Sequence, residues 1–340
     1  MTHSDPILAA LAASDRRRAE RRRFLRLAGA AGATTAGLTL LSACGDDDDD
    51  DATPTPSPSP SGSASPSPTP SPTPDFAEPV ILNFALNLEY LEASFYARAA
   101  LGTDLPDALL GGAGTPGALT GGRQVSFTDP VVAQYAREIA ADEIAHVGYL
   151  RRALGSAAIA RPAINIDGGA TGAFTAAARA AGVVAADATF DPYASDENFL
   201  LAAFLFEDVG VSAYYGAFRS LVTPALVEAA AGLQAAEAYH AGIIRETLYA
   251  KGVATAALRT NATNISNARD QLDGIIDLDQ PITGTDDIAN VTPADTAGLV
   301  LERVPGQVLN VLFLNRGPVT SGGFFPAGVN GTIITSGDND

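Results

Sequence analysis

Beyond His3, the chain has two histidines, and each stands three residues after a glutamate: Glu143-Ile144-Ala145-His146 and Glu237-Ala238-Tyr239-His240. On a helix, positions i and i+3 share a face, so each unit offers a carboxylate and an imidazole to one cation. Two such helices face to face, with one further carboxylate from each of two more helices, form a two-metal carboxylate site of the kind found in bundles. The further carboxylates emerge from an internal echo. Glu89 precedes Tyr96 by seven residues, and Glu207 precedes Tyr214 by seven. Four carboxylates and two imidazoles suit iron(II) or manganese(II), with zinc as an artefactual occupant.

Four long helices must present these residues. The first is expected from about Pro79 to Ala100, opened by Glu78-Pro79, with Ile81, Phe84, Leu88, Leu91 and Phe95 spaced in threes and fours. The second begins at the cap Asp129-Pro130 and runs to Leu154 before Gly155. The third runs from Ser195 to about Ser220, and the fourth from Thr223-Pro224 to a glycine stop at Lys251-Gly252. A short link makes helices three and four antiparallel neighbours. The stretch between helices two and three, with a short helix expected near Phe174 to Val184, has the length of a crossover along the bundle. The glycine-rich link from Leu101 to Thr128 reads as a lid or a wandering loop.

The ordered pattern Glu-x6-Tyr, Glu-x-x-His, Glu-x6-Tyr, Glu-x-x-His resembles the ferritin-like superfamily. The segment Asn83 to Ala93 and the tail Phe324 to Gly331 resemble its desiccation-related branch. The resemblance covers Phe76 to about Gly331. It implies an all-α core, a ferritin-like four-helix bundle with a long crossover between helices two and three, holding a di-iron, di-manganese or mixed site. By that pattern Glu143 and Glu237 bridge the metals, Glu89 and Glu207 are terminal, and His146 and His240 each cap one metal. Glu92, one turn beyond Glu89, is a rival ligand or an acid behind the ligands. Tyr96, Tyr214 and Tyr239 are candidates to hydrogen-bond ligands or to pack the bundle. The expected chemistry is redox, on peroxide, dioxygen or ferrous iron. The alternatives are metal sequestration and a non-catalytic stress protein.

The expected organisation is a signal segment at 1–43, a tether at 44–75, the bundle at 76–252 and an irregular or strand-like C-terminal extension at 253–340 packed on it. Arg21-Arg22-Arg23-Phe24-Leu25-Arg26 precedes an uncharged stretch from Leu27 to Ala43, which resembles a twin-arginine export signal. Leu41-Ser42-Ala43-Cys44 resembles a lipobox, and Cys44 is the one cysteine of the chain. Acylation at Cys44 would anchor the protein stably to a membrane. A membrane-spanning helix and plain signal cleavage are the competing readings. The acidic run Asp46 to Asp51 and the Pro/Ser/Thr-rich stretch to Pro74 read as a spacer. The expected location is the periplasmic or extracellular face of a bacterial cell envelope.

Seven of the 21 basic and three of the 39 acidic residues precede Cys44, leaving a net charge of −22 from there on. That balance excludes nucleic acid as a partner and favours cations. One cysteine excludes an intramolecular disulfide. The sequence holds no His-Glu-x-x-His, Cys-x-x-Cys or Gly-x-Ser-x-Gly, so zincin, dithiol and hydrolase chemistries lack their residues.

Overall fold

Three of the four bundle helices open on a proline in the first turn, where a missing N–H costs nothing. The computed structural model describes residues 76–285 and 287–339. The signal-like segment, Cys44 and the Pro/Ser/Thr-rich stretch lie outside the described residues. Helix α1 is Glu78–Tyr96, α2 Pro130–Leu154, α3 the short Ala173–Ala180, α4 Asp196–Ala217 and α5 Pro224–Ala254. The fold is all-α: α1, α2, α4 and α5 form the four-helix bundle, and the connection from α2 to α4 is the long crossover expected from the sequence.

Side chains fix the helix ends against one another. The Glu78 carboxylate accepts from the backbone N–H groups of Val222 and Thr223 at 2.8 and 2.6 Å, so the starts of α1 and α5 meet. At the other end, Asp196 accepts from the backbone N–H groups of Thr128 and Asp129, which joins the starts of α2 and α4. Asp129 caps α2 by accepting from Val131 N–H at 2.9 Å, and Ser195 caps α4 through Asn198 N–H at 3.2 Å. Beyond Tyr96, α1 widens into a π-helical turn, Ala97–Leu101, and Gly102 ends it in the left-handed conformation at φ 73°.

The two long connections are stitched together. Strand β1, Leu119–Thr120, pairs in parallel with β2, Ile164–Asn165, and Gly117 N–H donates to Arg161 O at 2.8 Å. The link between α1 and α2 is therefore pinned along the crossover. Phe174 of α3 meets Phe95, Phe206, Tyr193 and Phe324 in an aromatic cluster at one end of the core.

Two expectations need correction. Gly252 does not stop α5, which continues to Ala254 before Thr255 breaks the helix at φ −130° and ψ 82°. Gly252 instead permits a close approach: a Cβ there would lie 2.4 Å from Arg259 Cγ. Arg259 donates to the Tyr249 carbonyl at 2.8 and 3.0 Å and covers the Tyr249 ring.

The region from 253 onward, expected to be irregular or strand-like, contains two helices, α6 at Ala256–Asp273 and α7 at Pro305–Phe313. The inner face of α6 carries Leu258, Ala262, Ile265, Ser266, Arg269 and Asp273, half of it polar, so no apolar stripe announces it. Its polar half joins a buried charge network. Arg269 pairs with Asp208 at 2.8 Å and Asp279 at 2.5 Å. Arg303 pairs with Asp273 at 2.7 Å and Asp279 at 2.6 Å, and Arg245 with Asp208 at 2.7 Å. Around α6 and α7 the chain is irregular, and its tail returns to α1 through Asn330, whose backbone carbonyl accepts from Asn87 Nδ2 at 2.9 Å.

Candidate metal centre

Glu89, Glu143, Glu207 and Glu237 are each at most 1% exposed, and His146 and His240 at most 5%. One carboxylate comes from each bundle helix, and α2 and α5 each add an imidazole one turn on. The structure brings all six together. His146 Nδ1 lies 3.3 Å from Glu89 Oε2, 3.3 Å from Glu237 Oε1 and 3.6 Å from Glu143 Oε2. His240 Nδ1 lies 3.0 Å from Glu143 Oε1 and 3.8 Å from Glu207 Oε2. The two imidazoles face each other with centroids 6.1 Å apart and planes inclined by 26°.

The ligand atoms fall into two groups. Glu89, Glu143, His146 and Glu237 place atoms within 4.8 Å of one another, and so do Glu143, Glu207 and His240. Glu143 belongs to both. Burying so many carboxylates without a partner is costly, since each must be paired or neutralised. Yet Glu89 Oε2, both oxygens of Glu143, Glu207 Oε2, both oxygens of Glu237 and Nδ1 of both histidines make no hydrogen bond. Hard oxygen donors and imidazole nitrogens left open toward one another fit two divalent cations, and the buried Glu/His groups are compatible with a di-metal site.

The outer oxygens are held from behind. Tyr96 of α1 donates its hydroxyl to Glu207 Oε1 on α4, and Tyr214 of α4 donates to Glu89 Oε1 on α1. The two bonds cross, each tyrosine steadying the glutamate of the other helix. Tyr239 is not brought to the cluster; it is 75% exposed on the outside of α5. Lying two residues after Glu237, it points about 200° away around the helix.

Glu92 is buried, and room for it comes from Gly210 of α4. A Cβ on Gly210 would lie 3.2 Å from Glu92 Oε1 and 2.8 Å from Glu237 Oε2. Burial, then the negative charge of Glu237 and the other carboxylates, raises the Glu92 carboxyl well above the usual range. Burial likewise pushes Glu89 up to about 8, against the pull of His146. Glu207 and Glu237 also move upward through burial. Glu143 moves the other way: its burial is outweighed by His146 and His240, which hold it below the usual carboxylate range. Both imidazoles are held above their ordinary value by the surrounding carboxylates despite burial.

Sequence reasoning missed Gly210, Asp142 and the charge network behind Glu207. Asp142, half-buried on α2, has its Oδ2 3.6 Å from His240 Nε2. Its only signal in the sequence is its place directly before Glu143 in a repeat whose other copy has Ala236 there.

The family described as "Ferritin-like domain" matches residues 78–250. "Ferritin-like catalase Nec2" of Nesocodon mauritianus is 28% identical over 275 residues, covering 76% of this chain and 85% of that protein. "Desiccation-related protein PCC13-62" of Craterostigma plantagineum is 33% identical over 246 residues, covering 67% of this chain and 75% of that protein. No solved structure matches.

Proposed function

The chain belongs to the ferritin-like domain family, and from that premise we propose that it holds two iron or manganese ions and disproportionates hydrogen peroxide outside the cytoplasm. The observation that carries the reading is the set of buried, unbonded ligand atoms turned toward one another at the centre of the bundle. The name of the relative from Nesocodon mauritianus adds support for peroxide as substrate.

Glu143, whose two oxygens face both groups, would be shared between the two ions, and Glu237, the second shared carboxylate expected from the pattern, lies nearer the His146 side. Glu89 and Glu207 would each hold one ion, the outer oxygen fixed by a tyrosine hydroxyl and the inner oxygen turned to the cluster. His146 and His240 present Nδ1 inward. Two redox-active ions held by these residues would supply a two-electron couple. Peroxide disproportionation, two peroxides giving two waters and one dioxygen, needs no external electron donor. The side chains supply what that reaction asks of a protein. Glu92, buried beside the ligand carboxylates and raised above the usual carboxylate range by burial, is placed to take up or release a proton there. Phe95 and Phe199 pack on Tyr96 behind Glu207, and burial of the four carboxylates to 1% exposure or less keeps bulk water from them.

The proposed setting is the outer face of a bacterial membrane, with the chain exported through its twin-arginine-like head and tethered by acylated Cys44. Cys44→Ser should release the protein from the membrane fraction, and mass spectrometry of the N-terminal peptide reads the lipid directly.

Elemental analysis of natively exported protein, followed by peroxide consumption, tests the function. Two iron or manganese per chain with dioxygen evolution is expected. Metal-loaded protein that leaves peroxide untouched removes the enzymatic reading. Oxidation of iron(II) by dioxygen instead would make it a ferroxidase. The second reading, a metal-binding or structural stress protein, is favoured by the name of the relative from Craterostigma plantagineum. It wins if a Glu143→Ala, His146→Ala chain still protects cells from drying as well as the wild type.

A further inference from the structure

The two halves of the centre are built from repeated sequence, and they differ at one position. On α2 the unit reads Asp142-Glu143-Ile144-Ala145-His146; on α5 it reads Ala236-Glu237-Ala238-Tyr239-His240. Asp142 reaches across to the opposite helix and sets its Oδ2 3.6 Å from Nε2 of His240. His146 has no equivalent: where Asp142 would stand in the other copy there is an alanine methyl. Among the described residues every carboxylate near His146 lies against Nδ1, on the inner side of the ring.

Resting on the two-ion reading above, we infer that Asp142 is a positioning residue for His240 and makes the two metal positions unequal, the His240 side binding more tightly. At 3.6 Å the carboxylate stands just outside hydrogen-bond distance of Nε2; drawn in when Nδ1 takes a cation, it would hold the proton of the neutral imidazole on Nε2. It also locks the ring plane and strengthens the nitrogen as a donor. Nδ1 of His240 is turned to Glu143 at 3.0 Å and Glu207 at 3.8 Å, the two carboxylates of its own group. Asp142 and Glu143 are neighbours in sequence, so one turn of α2 supplies both the shared carboxylate and the brace on the facing helix. Among the described residues no carboxylate stands at Nε2 of His146 to brace that ring from outside. Such a difference lets the centre fill in order, and it holds the second ion loosely enough to exchange.

Stepwise titration of manganese(II) into the metal-stripped full-length chain tests this, by calorimetry and by electron paramagnetic resonance of the one-ion and two-ion states. The wild type should bind two ions with affinities at least about tenfold apart. Asp142→Asn, which keeps size and removes charge, should weaken the tighter step by about 10- to 100-fold and leave the other in place. The loss should persist in a His146→Gln background and vanish in a His240→Gln background, as a coupling confined to one ring requires. Ala236→Asp should tighten the weaker step. Far-ultraviolet circular dichroism and thermal unfolding of the stripped variants check that each is folded. An Asp142→Asn chain that binds both ions as the wild type does, or loses both equally, overturns the inference while leaving the two-ion reading intact. A wild type that binds fewer than two ions overturns that reading and this inference with it.

Discussion

Stripping the metal should leave a chain that weakens as the solution becomes more alkaline. The reason lies in Glu89, which burial pushes from 4.5 up to about 8, with Glu92, Glu207 and Glu237 shifted in the same direction. A carboxyl whose folded value is raised contributes stability that is whole below about 4.5 and is lost as pH climbs through about 8. Between those limits the unfolded chain has released the proton and the folded chain still holds it. For Glu89 alone the interval corresponds to on the order of 5 kcal/mol. His146 and His240, also raised, act in the same direction, while Glu143, held low by the two imidazoles, contributes stability that is already whole at pH 5 and stays level to pH 8. A typical domain has only about 5–15 kcal/mol in all, so the stripped chain should approach the edge of unfolding near pH 8. A divalent cation replaces the protons and removes the penalty, adding about 2.7 kcal/mol at one hundred times its dissociation constant. Urea unfolding at pH 5, 6.5 and 8, with chelator and with excess manganese(II), measures the effect. A stripped chain whose stability stays flat or rises from pH 5 to pH 8, or one that manganese(II) fails to rescue at pH 8, refutes the reasoning.

Gly210→Ala should have opposite effects on fold and site. In a helix interior alanine is worth about 0.8–1 kcal/mol over glycine, so the metal-free bundle should gain thermal stability. The new methyl meets Glu237 Oε2 at 2.8 Å and displaces it, so metal titration should show about a tenfold loss at one position. Tyr214→Phe leaves Glu89 Oε1 without its donor and should weaken metal binding by at least about tenfold, with a smaller change in unfolding temperature. Arg269→Met leaves Asp208 to Arg245 and Asp279 to Arg303, one cation short for two buried carboxylates, and should cost about 3 kcal/mol in denaturant unfolding, lowering metal content only as far as the fold itself is lost.

The bundle and the clustering of the four glutamates and two histidines were legible because both are periodic. A repeat of three within Glu-x-x-His and of seven within Glu-x6-Tyr survives in the sequence as plainly as in space. Tyr96 and Tyr214 fell on the ligand side by the same arithmetic, and Tyr239 fell off it for the same reason. The sequence was silent where a contact depends on a residue with no periodicity of its own. Gly210 acts by lacking a side chain, and nothing in a string of letters marks which glycine leaves room for a carboxylate. Helix α6 went unrecognised because half of its inner face is charged or polar, and hydropathy reads a buried arginine as an exposed one. The partners that make Arg269 tolerable inside, Asp208 and Asp279, lie in different elements and meet only after folding.

Asn330 grips Asn87 across 243 positions of chain, and Phe324 closes the aromatic cluster against Phe174 and Phe206. A ribosome therefore makes the first helix long before it makes the residues that seal it. Until residues 324–330 are made, those rings lack their cover, so the first helix cannot finish packing by itself. Packing at the start of the bundle is completed from far along the chain, and the core closes as one late event rather than helix by helix.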